Sequence, residues 1–94
     1  MMEAIDLKEI IKLVEEQLPD RQDIVKALLE CGNGSWTSRG YLQFVSSINA
    51  NQPNAEWQHS DCIVIEQKNR GDIVIDVLKD GRIGGIEFID LIDK

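Results

Sequence analysis

The feature that most limits the fold of this chain is a pair of apolar segments on either side of Asp80-Gly81. The segments cover residues 73–78 and 83–89 and are rich in isoleucine and valine. Asp-Gly is typical of two-residue type I′ turns, because both central residues of that turn adopt positive φ. The sequence therefore predicts a β-hairpin whose loop is Asp80 and Gly81.

This loop fixes which residues of the hairpin face each other. The predicted pairs are Leu78–Ile83, Val77–Gly84, Asp76–Gly85, Ile75–Ile86, Val74–Glu87 and Ile73–Phe88. Because side chains alternate between the two faces of a strand, one face is entirely apolar, and we expect it to pack against helices. The side chains on that face are Ile73, Ile75, Val77, Ile86 and Phe88.

The opposite face of the hairpin mixes apolar and acidic side chains. Its members are Val74, Leu78, Ile83, Asp76 and Glu87, and the neighbouring strand adds either Ile63 and Ile65 or Val64. An apolar patch of this kind on a small protein is more often a contact surface than bare. The sequence is compatible with three ways of covering this face: by the long segment 46–60, by a second copy of the chain, or by another protein.

Helical periodicity is confined to the N-terminal third of the chain. Leu7, Ile10, Ile11, Val14 and Leu18 lie on one face of a helix that has Asp6 as its N-cap and ends before Pro19. A second helix follows Asp20, with Ile24, Val25 and Leu28 as its apolar stripe. Residues 41–45 and 61–67 have the composition of strands, and residues 68–71 that of a turn.

These elements predict an α+β fold in which two N-terminal helices pack on one face of an antiparallel sheet of about four strands. The chain is short enough to form a single domain over residues 1–94. The segment Ser46 to Ser60 is the longest without predicted secondary structure. Loops of such length in compact domains are often functional or mobile.

The charge of the chain limits the classes of partner. Seventeen acidic residues against ten basic ones give a net charge of −7, and the acids are spread along the whole sequence. Nucleic acids and anionic membranes bind clustered lysine and arginine, so we expect neither as a partner. The charge is compatible with a basic protein partner, or it serves only solubility.

The N-terminus and the cysteines favour a cytoplasmic location. The first six residues include two acidic and no basic ones and lack the apolar region of a signal peptide, and no segment approaches the length of a membrane span. Cys31 and Cys62 lie far apart in the sequence and form no CxxC motif. We expect both cysteines to be reduced and buried.

Asp76 and Glu87 are the strongest candidates for chemistry on the mixed face. Their diagonal placement on adjacent strands separates their Cβ atoms by roughly 7 Å or less. Two carboxylates at that separation can share a metal ion or act as acid and base, with Asp61, Glu66 and His59 as neighbours that could join them. However, no spacing in the chain matches a metal-binding or catalytic motif. We therefore expect no catalytic residue, no metal ion and no cofactor.

The two tryptophans are candidates for contacts with a partner. Trp36 and Trp57 lie in irregular segments, where a tryptophan either anchors a partner or covers the edge of the core. The residues predicted to bind a partner are Asp76, Glu87, Trp57, Asp61 and Ile83.

The segment from Asp72 to Asp90 resembles the end of a widespread family of small bacterial domains of unknown function. Those chains end in a hairpin of the form D-G-[RK]-[IV] followed by G-I-E-[IL]-[LIF], and residues 80–83 and 85–89 match it except at Phe88, where the pattern has isoleucine or leucine. Tyr41 to Phe44 is similar to the opening strand of that family, but Gly40 stands where the family has an acidic residue. The resemblance implies a small antiparallel sheet in a homodimer or partner-binding module, and it implies no reaction.

Together these observations predict a non-enzymatic protein-binding module in the bacterial cytoplasm. A concrete form is an immunity or antitoxin-type protein that neutralises a basic toxin through its acidic surface. Two alternatives stay open. One is a metal-binding or hydrolytic domain that uses Asp76 and Glu87, and the other is a homodimeric structural domain.

Overall fold

The two longer helices pack against one face of a five-stranded antiparallel sheet in the computed structural model, which describes residues 7–67 and 71–92. The elements are α1 (Leu7–Gln17), α2 (Gln22–Glu30), β1 (Ser35–Ser38), β2 (Tyr41–Gln43), β3 (His59–Ile65), β4 (Ile73–Leu78), β5 (Ile83–Phe88) and the short α3 (Ile89–Ile92). The strand order is β1-β2-β5-β4-β3. The predicted α+β fold is confirmed, with five strands rather than about four.

The additional strand is β1, which pairs with β2 at one edge of the sheet. The two strands turn at Arg39 and Gly40, and Gly40 adopts a left-handed conformation with φ of 81°. The Trp36 ring contacts the Phe88 ring at a centroid distance of 5.7 Å, which ties this edge strand to β5. The sequence indicated only an extended segment here, because a four-residue strand of serine, threonine and one tryptophan has almost no apolar alternation.

The main core lies between the helices and the inner face of the sheet. The helices contribute Ile10, Val14, Ile24, Val25 and Leu28, and the sheet contributes Ile63, Ile65, Ile73, Ile75, Val77, Ile83 and Ile86. The predicted apolar face of the hairpin therefore packs on the helices as expected. Ile63 and Ile65 belong to this inner face, so of the two alternatives it is Val64 that lies on the outer face.

The hairpin between β4 and β5 has a loop of three residues rather than two. The Gly81 amide donates to the Leu78 carbonyl at 2.9 Å, and the Leu78 amide donates to the Arg82 carbonyl at 2.9 Å. Gly81 has φ of 90°, whereas Asp80 is not among the residues with positive φ. The Asp80 carboxylate instead accepts a hydrogen bond from the Arg82 amide at 3.0 Å. The predicted type I′ turn was therefore wrong, because only one loop residue needs the left-handed conformation.

A β-bulge at Gly84 compensates for the longer loop. Val77 pairs with Ile83, and after one additional residue in β5 Asp76 pairs with Gly85. The predicted pairs Leu78–Ile83 and Val77–Gly84 were thus wrong, while those from Asp76–Gly85 to Ile73–Phe88 are confirmed. The correction matters for Ile83, which was expected on the mixed face. It lies in the main core and is 1% exposed.

Residues 46–58, which precede β3 and are called the 46–58 segment below, cross the outer face of the sheet near the hairpin loop. Trp57, which is 9% exposed, packs with Val45 and Leu78 in a second core cluster. Asn49, Asn51 and Asn54 have φ values of 55°, 66° and 71°, a conformation that asparagine tolerates better than most residues. The first of the three expected coverings is therefore present over this part of the outer face.

Gly84 is expected to be intolerant of a side chain. A Cβ atom there would lie 2.7 Å from two carbons of the Trp57 ring and 2.9 Å from Leu78 Cδ2. We expect Gly84→Ala to lower the free energy of unfolding by about 1–3 kcal/mol through overpacking, measured by urea denaturation. Gly32→Ala is the matched control, since a Cβ there would meet nothing within 4 Å and no loss of stability is expected. Equal losses in the two variants would contradict this prediction.

Two of the predicted local features fall outside the described residues: the helix cap at Asp6, and residues 68–70 of the predicted turn. Within the described ranges, no helix combines the length and the apolar content that crossing a bilayer requires.

Candidate functional site

Four polar side chains contact one another on the part of the outer face that the 46–58 segment leaves uncovered. Cys62 Sγ lies 3.3 Å from His59 Nε2 and 3.4 Å from Asp76 Oδ1, and His59 Nε2 lies 3.7 Å from Asp76 Oδ1. The Tyr41 hydroxyl donates a 2.7 Å hydrogen bond to the other carboxylate oxygen, Asp76 Oδ2. We call these four residues the polar cluster.

Strand pairing and a second bulge bring the cluster together. Cys62 lies directly opposite Asp76 in the pairing of β3 with β4, so their side chains share the outer face. Residues 59 and 62 would point to opposite faces of a regular strand. The register shift between His59 and Asp61 corrects this and places His59 beside Cys62. The Asn51 side chain fixes the start of the strand, because its carbonyl oxygen accepts a 2.9 Å hydrogen bond from the His59 amide.

The position of Tyr41 depends on a glycine in the neighbouring strand. Tyr41 lies opposite Glu87 in the pairing of β2 with β5, and its ring lies over Gly85 to reach Asp76. A Cβ atom at Gly85 would collide with the Tyr41 ring and hydroxyl. Burial, followed by the hydrogen bond to Asp76, raises the pKa of Tyr41. The phenol is therefore a neutral donor at physiological pH.

The Cys62 thiol is also held in its neutral form. Partial desolvation raises its pKa, and the hydrogen bond to the Asp76 carboxylate raises it further. At neutral pH the thiol is the donor to Asp76 Oδ1. No lysine or arginine within residues 7–67 and 71–92 forms an ion pair with Asp76 or Glu87. The charge on this surface is thus negative.

The structure brings together two of the five residues predicted to bind a partner. Asp76 lies opposite Gly85 and Glu87 lies opposite Val74, so both carboxylates share the outer face, as the hairpin pattern predicted. Trp57 lies on that face too, but it is packed in the second core cluster. Ile83 is buried on the inner face, for the reason given above.

Asp61 occupies the other side of the sheet from Asp76. It lies opposite Val77, an inner-face residue, and its carboxylate accepts a hydrogen bond from the Cys62 amide at 2.8 Å. The pKa of Arg21, in the turn between the helices, is raised mainly by Asp23 and to a smaller extent by Asp61. Asp61 therefore faces the helix layer rather than the surface that carries Asp76 and Glu87.

Sequence reasoning missed Cys62 and Tyr41 as members of a site. Cys62 was expected to be buried, and this was wrong, because it is exposed on an edge strand. Ile63 and Ile65 have buried side chains on the inner face, and because side chains alternate along a strand, Cys62 lies on the outer face. This alternation is the sequence signal from which its exposure could have been predicted. The bulge beside His59 had no such signal, and the pairing of Tyr41 with Glu87 joins residues distant in the sequence.

A separate groove of about 610 Å³ lies between α2 and the hairpin loop. Its walls include Lys26 and Cys31 from the helix side and Asp80 and Arg82 from the loop. Arg82 is already paired with Asp80 and Glu56, and burial raises the pKa of the Cys31 thiol. The groove shares no residue with the polar cluster.

We call the surface formed by Val64, Val74, Asp76 and Glu87 the outer strip. It combines two carboxylates with two valines, and Val64 is 53% exposed. The resemblance of residues 72–90 to small bacterial domains stays a prediction from the sequence. Comparisons of the chain with protein-family models, with curated proteins and with solved structures found no match.

Proposed function

We propose that this chain is a non-enzymatic protein-binding module of the cytoplasm, and that a basic protein docks on its outer strip. The observation that carries the proposal is the unequal covering of the two sheet faces. Helices cover the inner face, and the 46–58 segment covers the outer face only near the hairpin loop. The outer strip lies beyond that cover, with Val64 exposed and two carboxylates beside it.

The composition of the outer strip suits a protein contact. Val64 and Val74 are directly opposite each other on β3 and β4, so they form a continuous apolar surface. Protein interfaces combine such an apolar centre with polar groups of complementary charge around it. Asp76 and Glu87 on this surface favour a partner that presents lysine or arginine.

The negative charge disfavours a second copy of the chain as the occupant of the outer strip. In a two-fold symmetric dimer, each copy presents the same patch to the other. Asp76 and Glu87 would then approach their own equivalents, and juxtaposed like charges oppose association. A partner of opposite charge avoids this repulsion.

An immunity or antitoxin-type protein is the concrete form of this proposal. The net charge of −7 on 94 residues produces a field that accelerates encounter with a basic protein such as a nuclease toxin. The carboxylates of the outer strip would then bind basic groups of the toxin. Such complexes associate rapidly at low salt and more slowly as salt screens the charges.

The test is calorimetric titration of this chain with candidate basic toxins such as nucleases, at low and at high salt. We expect binding that weakens with salt and a dissociation constant that rises at least about tenfold in the double variant Asp76→Asn, Glu87→Gln. Both substitutions keep the shape of the side chain and remove its charge. EDTA in all samples excludes any contribution from metal ions.

A second double variant separates local from global charge. Glu56→Gln with Asp80→Asn removes two negative charges beside Arg82, away from the outer strip. We expect this control to retain most of the affinity. Equal weakening in both double variants, or binding that is independent of salt, would refute the proposed surface.

A further inference from the structure

We infer that His59, Cys62 and Asp76 form a binding site for a zinc ion. The three residues offer an imidazole nitrogen, a thiol sulfur and a carboxylate oxygen within one small volume. These are the three donor types that zinc sites in proteins use. The site is distinct from the pair Asp76 and Glu87 that the sequence suggested, because Glu87 is not among the three residues.

The distances between the donor atoms fit tetrahedral zinc. Bond lengths of about 2.3 Å to sulfur, about 2.0–2.1 Å to nitrogen and about 2.0–2.2 Å to oxygen place tetrahedral ligand atoms about 3.3–3.7 Å apart, with the pairs that include sulfur the longer ones. In the structure the sulfur lies 3.3 Å from the nitrogen and 3.4 Å from the oxygen, and the nitrogen lies 3.7 Å from the oxygen. Each separation is within about 0.4 Å of its tetrahedral value. The donors are therefore already close to one face of a zinc tetrahedron, and little movement is needed for binding.

Each donor comes from a paired strand rather than from a loop, which limits its freedom. Cys62 and Asp76 lie opposite each other on paired strands, and His59 begins the same strand as Cys62. A site built on paired strands loses less entropy on binding than one assembled from loops. The cluster supplies three donors, and Cys62 is exposed, so water can complete the tetrahedral coordination.

Two groups that hydrogen-bond to the ligand residues also support a zinc site. Carboxylates that bind zinc are usually held by hydrogen bonds to their other oxygen. The Tyr41 hydroxyl donates to Asp76 Oδ2 at 2.7 Å, which leaves Oδ1 directed at the Cys62 sulfur. The contact between Asn51 and the His59 amide fixes the backbone that carries the imidazole.

The competing explanation is that the three side chains are only hydrogen-bonded to one another. A thiol that donates to a carboxylate and contacts an imidazole gives similar distances. The two explanations differ in what happens when a divalent ion is added. Zinc displaces the thiol proton and binds the sulfur as thiolate, whereas a hydrogen-bonded group without metal affinity is unchanged.

The test is a titration of the tag-free chain with Co²⁺, followed by displacement with Zn²⁺. Cobalt accepts the same tetrahedral geometry and shows a thiolate charge-transfer band in the near ultraviolet when sulfur is a ligand. We expect this band to saturate at one cobalt per chain and to disappear when zinc is added. We expect no effect of Mg²⁺, because that ion prefers oxygen ligands in octahedral geometry.

Variants of two of the ligands and of Tyr41 make the test specific. We expect Cys62→Ser to abolish the cobalt band and, like His59→Ala, to weaken zinc binding more than about 100-fold, a larger effect than loss of a supporting group. Tyr41→Phe, which removes only the bond to Asp76, should weaken zinc binding about 10-fold while the cobalt band remains. Circular dichroism checks that each variant is folded.

Cys31→Ser is the matched control, because Cys31 lies in the groove beside α2 and not in the polar cluster. It should leave the cobalt band and the zinc affinity unchanged. The inference is overturned if cobalt gives no thiolate band, or if Cys62→Ser binds zinc as tightly as the original chain. The outcome is independent of the proposed protein partner, since the titration contains this chain alone.

Discussion

Trp57→Ala is expected to produce the largest loss of stability among single substitutions in the 46–58 segment. The Trp57 side chain is 9% exposed and fills the space above Gly84, Leu78 and Val45. Truncation of a buried tryptophan to alanine costs about 3–5 kcal/mol, because apolar burial is lost and a cavity is left. Small domains are stable by only about 5–15 kcal/mol, so this substitution removes a large part of the free energy of unfolding.

Urea denaturation of the original chain and of Trp57→Ala measures this loss, and Trp36→Ala provides the matched control. Trp36 is only partly buried on the edge strand, where it contacts Phe88, and its truncation should cost less. Amide hydrogen exchange should in addition become faster at Asn51 and Lys79. Their amides donate to the carbonyls of Trp57 and Gln58 at 2.8 and 2.7 Å. If both tryptophan variants lose the same stability, Trp57 does not hold the segment on the sheet.

Ile86→Ala is expected to have a comparable effect in the main core. Ile86 is fully buried at the centre of β5, opposite Ile75, which is fully buried too. Replacement of a buried isoleucine by alanine costs about 2–5 kcal/mol, depending on how far the surroundings collapse into the space. We expect a lower urea midpoint with an unchanged slope, because the surface exposed on unfolding stays nearly the same.

The same substitution at an exposed isoleucine tests whether burial causes the loss. Ile48 is 76% exposed in the 46–58 segment, and Ile48→Ala should change the free energy of unfolding by no more than about 0.5 kcal/mol. A loss at Ile48 as large as that at Ile86 would mean that the segment around Ile48 is packed more tightly than the structure shows.

Most of the fold could be predicted because its elements have strong local patterns. The apolar residues of α1 recur at helical spacing, and Ile73, Ile75 and Val77 occupy every second position of β4, so one face of this strand is wholly apolar. These two periods are sufficient to predict which face of the hairpin meets the helices. Alternation also predicts that Asp76 and Glu87 share a face, because that relation depends only on the pairing at the middle of the strands.

The errors in the predicted structure arise where a loop or a strand contains one residue more than the regular pattern. Asp80-Gly81 fits a two-residue loop, but a type I turn followed by a left-handed glycine fits the same dipeptide. The choice between them moves Ile83 from one face to the other, and only the packing of Ile83 in the core decides it. The bulge next to His59 is similar, since nothing in the local sequence specifies an additional residue there. The polar cluster depends on that bulge and was missed for this reason.

The order of the strands has a consequence for the kinetics of folding. β3, β4 and β5 follow one another and pair as consecutive neighbours, whereas β2 pairs with β5 at the far end of the chain. Contacts between residues that are close in sequence form sooner than those that must close a long loop. We therefore expect the three C-terminal strands to associate early. The hairpin of β1 and β2 would join them late, and its docking would set the overall rate.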